Sequence, residues 1–226
     1  MAGFLAELTA TGNRSGIVLD DPVCSLDHRF RDKVAERLAL EARTRQVVVL
    51  THEVVFLWEL REHARRHGVE VYFIELERGY REYGRPRVGA PWLGRTAGER
   101  VRWLRAAIQE AEAVLRRDGR AAYEEKASYV YKRMRDTWER TVEELLLNRV
   151  VERFRPGVET QRLRVVVDIK PEDIDLVDRE MRHCSKFVHD EPGARNEGVP
   201  DPDVVRDDLA RLEAWIAELR ERGRRN

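Results

Sequence analysis

The spacing of apolar residues along the chain changes near residue 95. Before that point, short β-branched runs alternate with segments whose apolar residues recur at helical intervals. In order they are GIVLDD from Gly16, Arg31 to Ala42, QVVVLTH from Gln46, Val54 to His67, and VEVYFIELE from Val69. Apolar runs this short, separated by helices, predict buried strands of an α/β sheet. The segment YGRPRVGAPWLGRTAG, from Tyr83, is rich in glycine and proline and breaks the rhythm, which predicts a domain boundary. Two domains are therefore expected, over residues 1–94 and 95–226.

Beyond the boundary the spacing is helical. Val101, Leu104, Ile108, Ala111 and Leu115 mark one amphipathic helix, and Tyr123, Ala127, Val130, Met134, Trp138, Thr141 and Leu145 mark a longer one. RLRVVVDI, from Arg162, predicts a lone strand or hairpin arm. A further helix is expected to bury Ile174, Val177, Met181 and Cys184. The last helix enters through Asp201 as cap, with Pro202 at its first position. Trp58, Trp103, Trp138 and Trp215 fall on or beside apolar stripes and are expected in cores.

Composition narrows the function classes. Charged residues make up 37% of the 226, yet acids and bases cancel to zero net charge, so a globally basic nucleic-acid binder is not indicated. Cys24 and Cys184 lie far apart, in no metal-ligand spacing, which supports neither a disulfide framework nor a cysteine zinc site. No apolar run approaches the ~20 residues of a membrane span, and a cytoplasmic location without membrane partners is expected. His63 and His67 are one helical turn apart, as metal ligands are. With no third ligand evident, a polar helix face is the expectation.

The chemistry concentrates at two places. The first is the run VLDDPVCSLD, where an apolar strand ends in Asp20 and Asp21, and QVVVLTHE, where a second ends in Thr51 and His52. Strand ends are where α/β proteins assemble their sites. An acidic pair there suits a Mg²⁺ on nucleotide phosphates and an attacking water. The second is the helical half, where Arg135 and Glu139, four apart, share a helix face. Arg182 and His189, seven apart, share another. An arginine, a carboxylate and a histidine together need no metal to cleave RNA, because the histidine moves the 2′-OH proton while arginine stabilises the phosphorane. The Arg-x-x-x-Glu spacing alone carries little, since it recurs at Arg37, Arg78, Arg95 and elsewhere in this charge-rich chain.

VLDDPVCSLD followed by VVVLTHE resembles the Walker B motif, D-loop and switch histidine of ABC-type ATPases of the SMC and RecF kind, over roughly the first 80 residues. The resemblance implies the C-terminal part of a P-loop ATPase sheet, followed by a mostly helical domain. It makes Asp20 the Mg²⁺ aspartate and Asp21 the catalytic acid, where the family usually has glutamate. Ser25, Leu26 and Asp27 become the D-loop, with Ser25 and Asp27 as nucleotide-binding positions, and His52 the switch residue. No G-x-x-x-x-G-K-[ST] loop and no ABC signature occur in the chain. ATP and Mg²⁺ are thus expected only if a missing N-terminal ATPase portion is supplied; that portion or a homodimer partner is the expected partner, and the AGFLAEL opening resembles the helix that follows the signature.

The helical half resembles the HEPN-type nuclease domain of anticodon nucleases of the RloC and PrrC kind. That resemblance implies Arg135, Glu139 and His189 as the active site, with Arg182 a competing arginine, and RNA, tRNA above all, as substrate. The expected function is an ATPase-coupled ribonuclease of bacterial anti-phage defence. The alternative is a DNA-repair or defence ATPase, with DNA as partner, whose C-terminal helices bind or dimerise without chemistry.

Overall fold

The computed structural model describes residues 2–24, 26–78, 82–153, 157–188 and 198–225. The chain divides into two compact units, Met1–Gly94 and Arg95–Asn226. Helix dominates both, and the sheets have two strands each. The α/β expectation therefore holds only coarsely.

The first unit opens with α1 (Ala2–Ala10), followed by β1 (Ile17–Asp20), α2 (His28–Glu41), β2 (Val47–Leu50) and α3 (Val54–Arg66). β1 and β2 pair in parallel, with Ile17 opposite Val47 and Asp20 opposite Leu50. Parallel strands need a crossover, and α2 is that crossover. Ile17, Leu19, Val47 and Val49 are buried or half-buried, and Leu19, Val47 and Val49 pack against a core of Val23, Val34, Ala35, Leu38 and Phe56. The opposite face departs from the expected buried strands, because Val18 is 67% exposed, and Val48 and Leu50 are exposed too.

VEVYFIELE does not add a third buried strand. Its Ile74–Glu77 portion forms β3, which pairs antiparallel with β4 (Arg85–Val88), inside the segment expected to be a domain boundary. The reason lies in the alternating charge: Glu75 faces Arg87 and Glu77 faces Arg85 across the pair, and Arg87 bonds Glu77 at 2.7 Å. Opposite charges across a hairpin favour local pairing, and Ile74, Leu76 and Val88 point to solvent.

The second unit is a helical bundle of α4 (Ala97–Asp118), α5 (Arg120–Thr141), α6 (Pro171–Ser185) and α7 (Pro202–Arg225). Thr96 caps α4 through a reciprocal pair, its side chain accepting from Glu99 N at 3.3 Å while Glu99 accepts from Thr96 N at 2.7 Å. Gly119, at φ +86°, makes the tight α4–α5 turn with backbone a side chain would strain. The two apolar stripes meet as expected, burying Val101, Leu104, Ile108, Val130, Met134 and Trp138, with the rings of Trp138 and Trp215 stacked at 5.3 Å. Trp103 is half-buried. Pro202 begins α7, but the Asp201 carboxylate bonds Arg120.

Two helical-half expectations are corrected. Thr160–Val165 is a 3₁₀ helix, so RLRVVVDI forms no strand; Val167 is buried while Val165 stays exposed. Ile174 is 61% exposed, and the buried positions of α6 are Asp173, Glu180 and Cys184. Asp173 accepts from Trp215 Nε1 at 2.8 Å and from both Arg222 terminal nitrogens, at 2.8 and 2.6 Å. Neighbouring helical residues point about 100° apart, so anchoring Asp173 inward turns Ile174 outward.

Candidate active site at the ends of the parallel strands

The C-terminal ends of β1 and β2 carry the first group of expected site residues. Asp21 follows β1 in a left-handed backbone, φ +45°, a region aspartate enters more readily than most residues. Its N–H donates to Leu50 O at 2.8 Å, tying it to the end of β2. Its carbonyl accepts from Cys24 N at 3.2 Å, closing the turn. This turn sends the carboxylate across to the residues after β2.

There each oxygen has its own partner. Thr51 Oγ1 donates to Oδ1 at 3.0 Å, and His52 Nδ1 meets Oδ2 at 2.7 Å. Thr51 Oγ1 in turn accepts from Glu53 N at 3.1 Å, and Glu53 pairs with Arg31 of α2 at 3.1 Å. The Asp21 side chain is 23% exposed, while that of His52 is 77% exposed. The carboxylate thus meets two successive residues after β2, and the imidazole is largely open to solvent. The contact turns Nδ1 toward the carboxylate and leaves a largely exposed imidazole, suited to a proton in transit or to a polar ligand.

The remaining residues of this group lie nearby in sequence but outside the cluster. Asp20, at the last position of β1, is exposed. Asp27 is exposed, and its carbonyl accepts from Phe30 N at 2.9 Å. Ser25 lies outside the described residues.

In the helical unit, Arg135 and Glu139 do meet, at 3.3 Å. Glu139 also bonds Arg153, which reaches Glu143 at 2.7 Å. Glu143 pairs with the buried Arg140, which further binds Glu144 at 3.2 Å and Glu152 at 3.1 Å. Beside it, burial and the like charge of Arg140 lower Arg100 to about 10, with its guanidinium bonded to Asp136 O at 2.6 Å. The pair is one link in a chain of ion pairs that fastens the end of α5 to the segment after it.

His189 lies outside the described residues. Among the described residues, no hydrogen bond or ion pair joins a histidine to Arg135 or Glu139. Arg182, exposed, pairs with Asp178 at 2.6 Å. The histidine of α6 in a polar network is His183, whose Nε2 lies 2.8 Å from Asp208 Oδ2; Asp208 is 1% exposed and accepts from Tyr131 at 2.6 Å. Burial first, then the bond to Asp208, pushes the Tyr131 phenol far above its ordinary value.

One grouping went unforeseen. His63 is buried, so α3 presents no simple polar face there, and Glu36 of α2 approaches it and His67. The sequence does carry a signal: Asp32 and Glu36, and His63 and His67, are both four-residue pairs on successive helices. No helix among the described residues is long and apolar enough to cross a membrane.

Comparison with known proteins gives no match: no family model, no curated protein and no solved structure matches this chain.

Proposed function

We propose that residues 1–94 supply the hydrolytic acid and switch histidine of an ABC-type ATPase site. The observation that carries the reading is the 2.7 Å contact of His52 with Asp21, at the adjacent ends of two parallel strands. Asp21 orients the attacking water and His52 reads the γ-phosphate from the solvent side, while Asp20, exposed beside them, is the Mg²⁺ ligand. Because these residues contain no phosphate-binding loop, ATP is held by an ATPase portion outside them, and the open apolar face of β1 and β2 is compatible with further strands or helices covering the sheet.

For the helical unit, the Arg135–Glu139 contact supports a metal-independent ribonuclease coupled to nucleotide state, acting in defence on RNA. The second bond of Glu139, to Arg153, favours the alternative of a binding or dimerisation module, since a carboxylate shared by two guanidiniums is already employed in holding the fold.

The experiment is co-expression with the polypeptide encoded immediately upstream, followed by Mg-ATP turnover. Turnover is expected only from the pair, and it should fall at least tenfold with Asp21→Asn and with His52→Ala. Turnover by this chain alone, or turnover indifferent to both changes, overturns the ATPase reading. An RNA assay in EDTA decides the helical unit: 2′,3′-cyclic phosphate products that disappear with Glu139→Gln support the nuclease, and intact RNA supports the module.

A further inference from the structure

We propose that Glu36, His63 and His67 form a binding site for a divalent transition metal of the zinc class, built between α2 and α3. One ligand atom from each residue lies within 4.8 Å of the others. His63 and His67, four apart, project from the same side of α3 and its C-terminal cap, and Glu36 comes from the middle of α2.

The observation that turns a cluster into a site is the state of His63. His63 is 5% exposed and its Nε2 lies 2.7 Å from Asp32 Oδ1, while Nδ1 is buried with no hydrogen-bond partner. A carboxylate on Nε2 makes that nitrogen the N–H, so Nδ1 carries an unshared pair in the interior. An unsatisfied buried acceptor costs about 1–3 kcal/mol in general. A cation bound at Nδ1 removes that cost, and a carboxylate behind the other ring nitrogen is the usual way a protein orients a metal-bound histidine and raises its basicity. Asp32 is therefore the positioning residue, and its largely exposed side chain keeps its own charge solvated.

Two imidazoles and one carboxylate suit zinc and its neighbours, whereas Mg²⁺ and Ca²⁺ call for oxygen donors. Neighbouring ligands around a tetrahedral zinc stand about 3.3 Å apart, so the three must close by an ångström or so. Glu36 is exposed and His67 half-buried, so the closing movement falls to these two rather than to the buried His63. Three protein ligands leave the fourth position to water. The site is separate from the Asp21–His52 cluster and does not depend on the nucleotide reading.

The test uses the full chain, stripped with EDTA, desalted, and titrated with Zn²⁺ against a fluorescent chelator at pH 7.5. One equivalent per chain is expected, with a rise in melting temperature on loading, and Co²⁺ in its place should give the visible absorption of a four-coordinate site. Glu36→Gln and His67→Ala should each weaken binding at least tenfold while leaving the circular dichroism unchanged, since neither side chain is buried. Asp32→Asn should weaken it ten- to a hundredfold. Cys24→Ser, which removes the exposed thiol, should leave affinity intact. Absence of saturable binding, or binding unaltered by both Glu36→Gln and His67→Ala, overturns the proposal.

Discussion

Replacing Asp173 with alanine removes the polar hub of α6. Its carboxylate receives Trp215 Nε1, both terminal nitrogens of Arg222 and, at 3.0 Å, the N–H of Lys170 before the helix. The side chains of Asp173 and Arg222 are 5% and 14% exposed. Breaking a buried pair on one side costs about 3–5 kcal/mol, because the other charge stays buried. The orphaned indole N–H and the lost cap lie within that range rather than on top of it, as Arg222 keeps Asp168 O at 3.0 Å and Glu218 at 3.5 Å. Against a typical stability of about 5–15 kcal/mol, this is a large fraction. Urea unfolding followed by far-UV circular dichroism should show the midpoint fall by about 2 M at unchanged slope, for a slope of about 2 kcal/mol per M. Asp173→Asn, which keeps one acceptor oxygen, should lose roughly half as much. The bond to Arg222 above all, helped by Trp215 and Lys170, holds the Asp173 carboxyl well below the ordinary carboxylate range. The native state therefore binds fewer protons than the unfolded chain, so this contribution is complete above the unfolded value of about 4 and is lost as pH falls below it. The gap between wild type and Asp173→Asn should accordingly narrow from pH 6 to pH 2. An alanine midpoint within about 0.2 M of wild type, or a gap that widens in acid, would refute the account.

Three further outcomes are expected. Burial pushes the Cys184 thiol up to about 12, whereas Cys24 is exposed, so a disulfide reagent should label one thiol in the folded chain and the second only in denaturant. Two thiols labelled at equal rates would contradict this. Tyr131→Phe should destabilise by about 1.5–3 kcal/mol through loss of a bond to a buried carboxylate, read from the urea midpoint; no change would show that Asp208 is satisfied without it. Arg182→Ala should alter stability by less than about 0.5 kcal/mol, since its pair with Asp178 is exposed on both sides, and a larger midpoint shift would mark a role beyond that pair.

The legible parts of the sequence were those governed by local period. The ends of β1 and β2 and the stripes of α4 and α5 follow from spacing that any neighbour would satisfy. What stayed hidden was decided by partners distant in sequence. Ile174 reads as apolar and inward until Trp215 and Arg222 claim Asp173. The run from Val69 reads as a buried strand until the arginines of β4 answer its glutamates. Val165 and Val166 are strand-like residues with no strand beside them. Glu36 becomes a neighbour of His63 only once the α2 crossover lays one helix on the other. At the strand ends, the aspartates and His52 were legible as types in order, but the left-handed turn that joins Asp21 to His52 was not.

That turn limits what evolution or a protein engineer can place at position 21. Left-handed backbone costs most L-residues roughly 1–2 kcal/mol, asparagine and aspartate less, glycine almost nothing. A glutamate would add a methylene and lose some of that tolerance, so lengthening the acid is a backbone change as well as a chemical one. Asparagine keeps the turn while discarding the charge, and glycine keeps it while discarding the side chain. Position 21 thus lets charge be changed with the turn kept, whereas reach is tied to backbone shape, and it is charge and reach that touch Thr51 and His52.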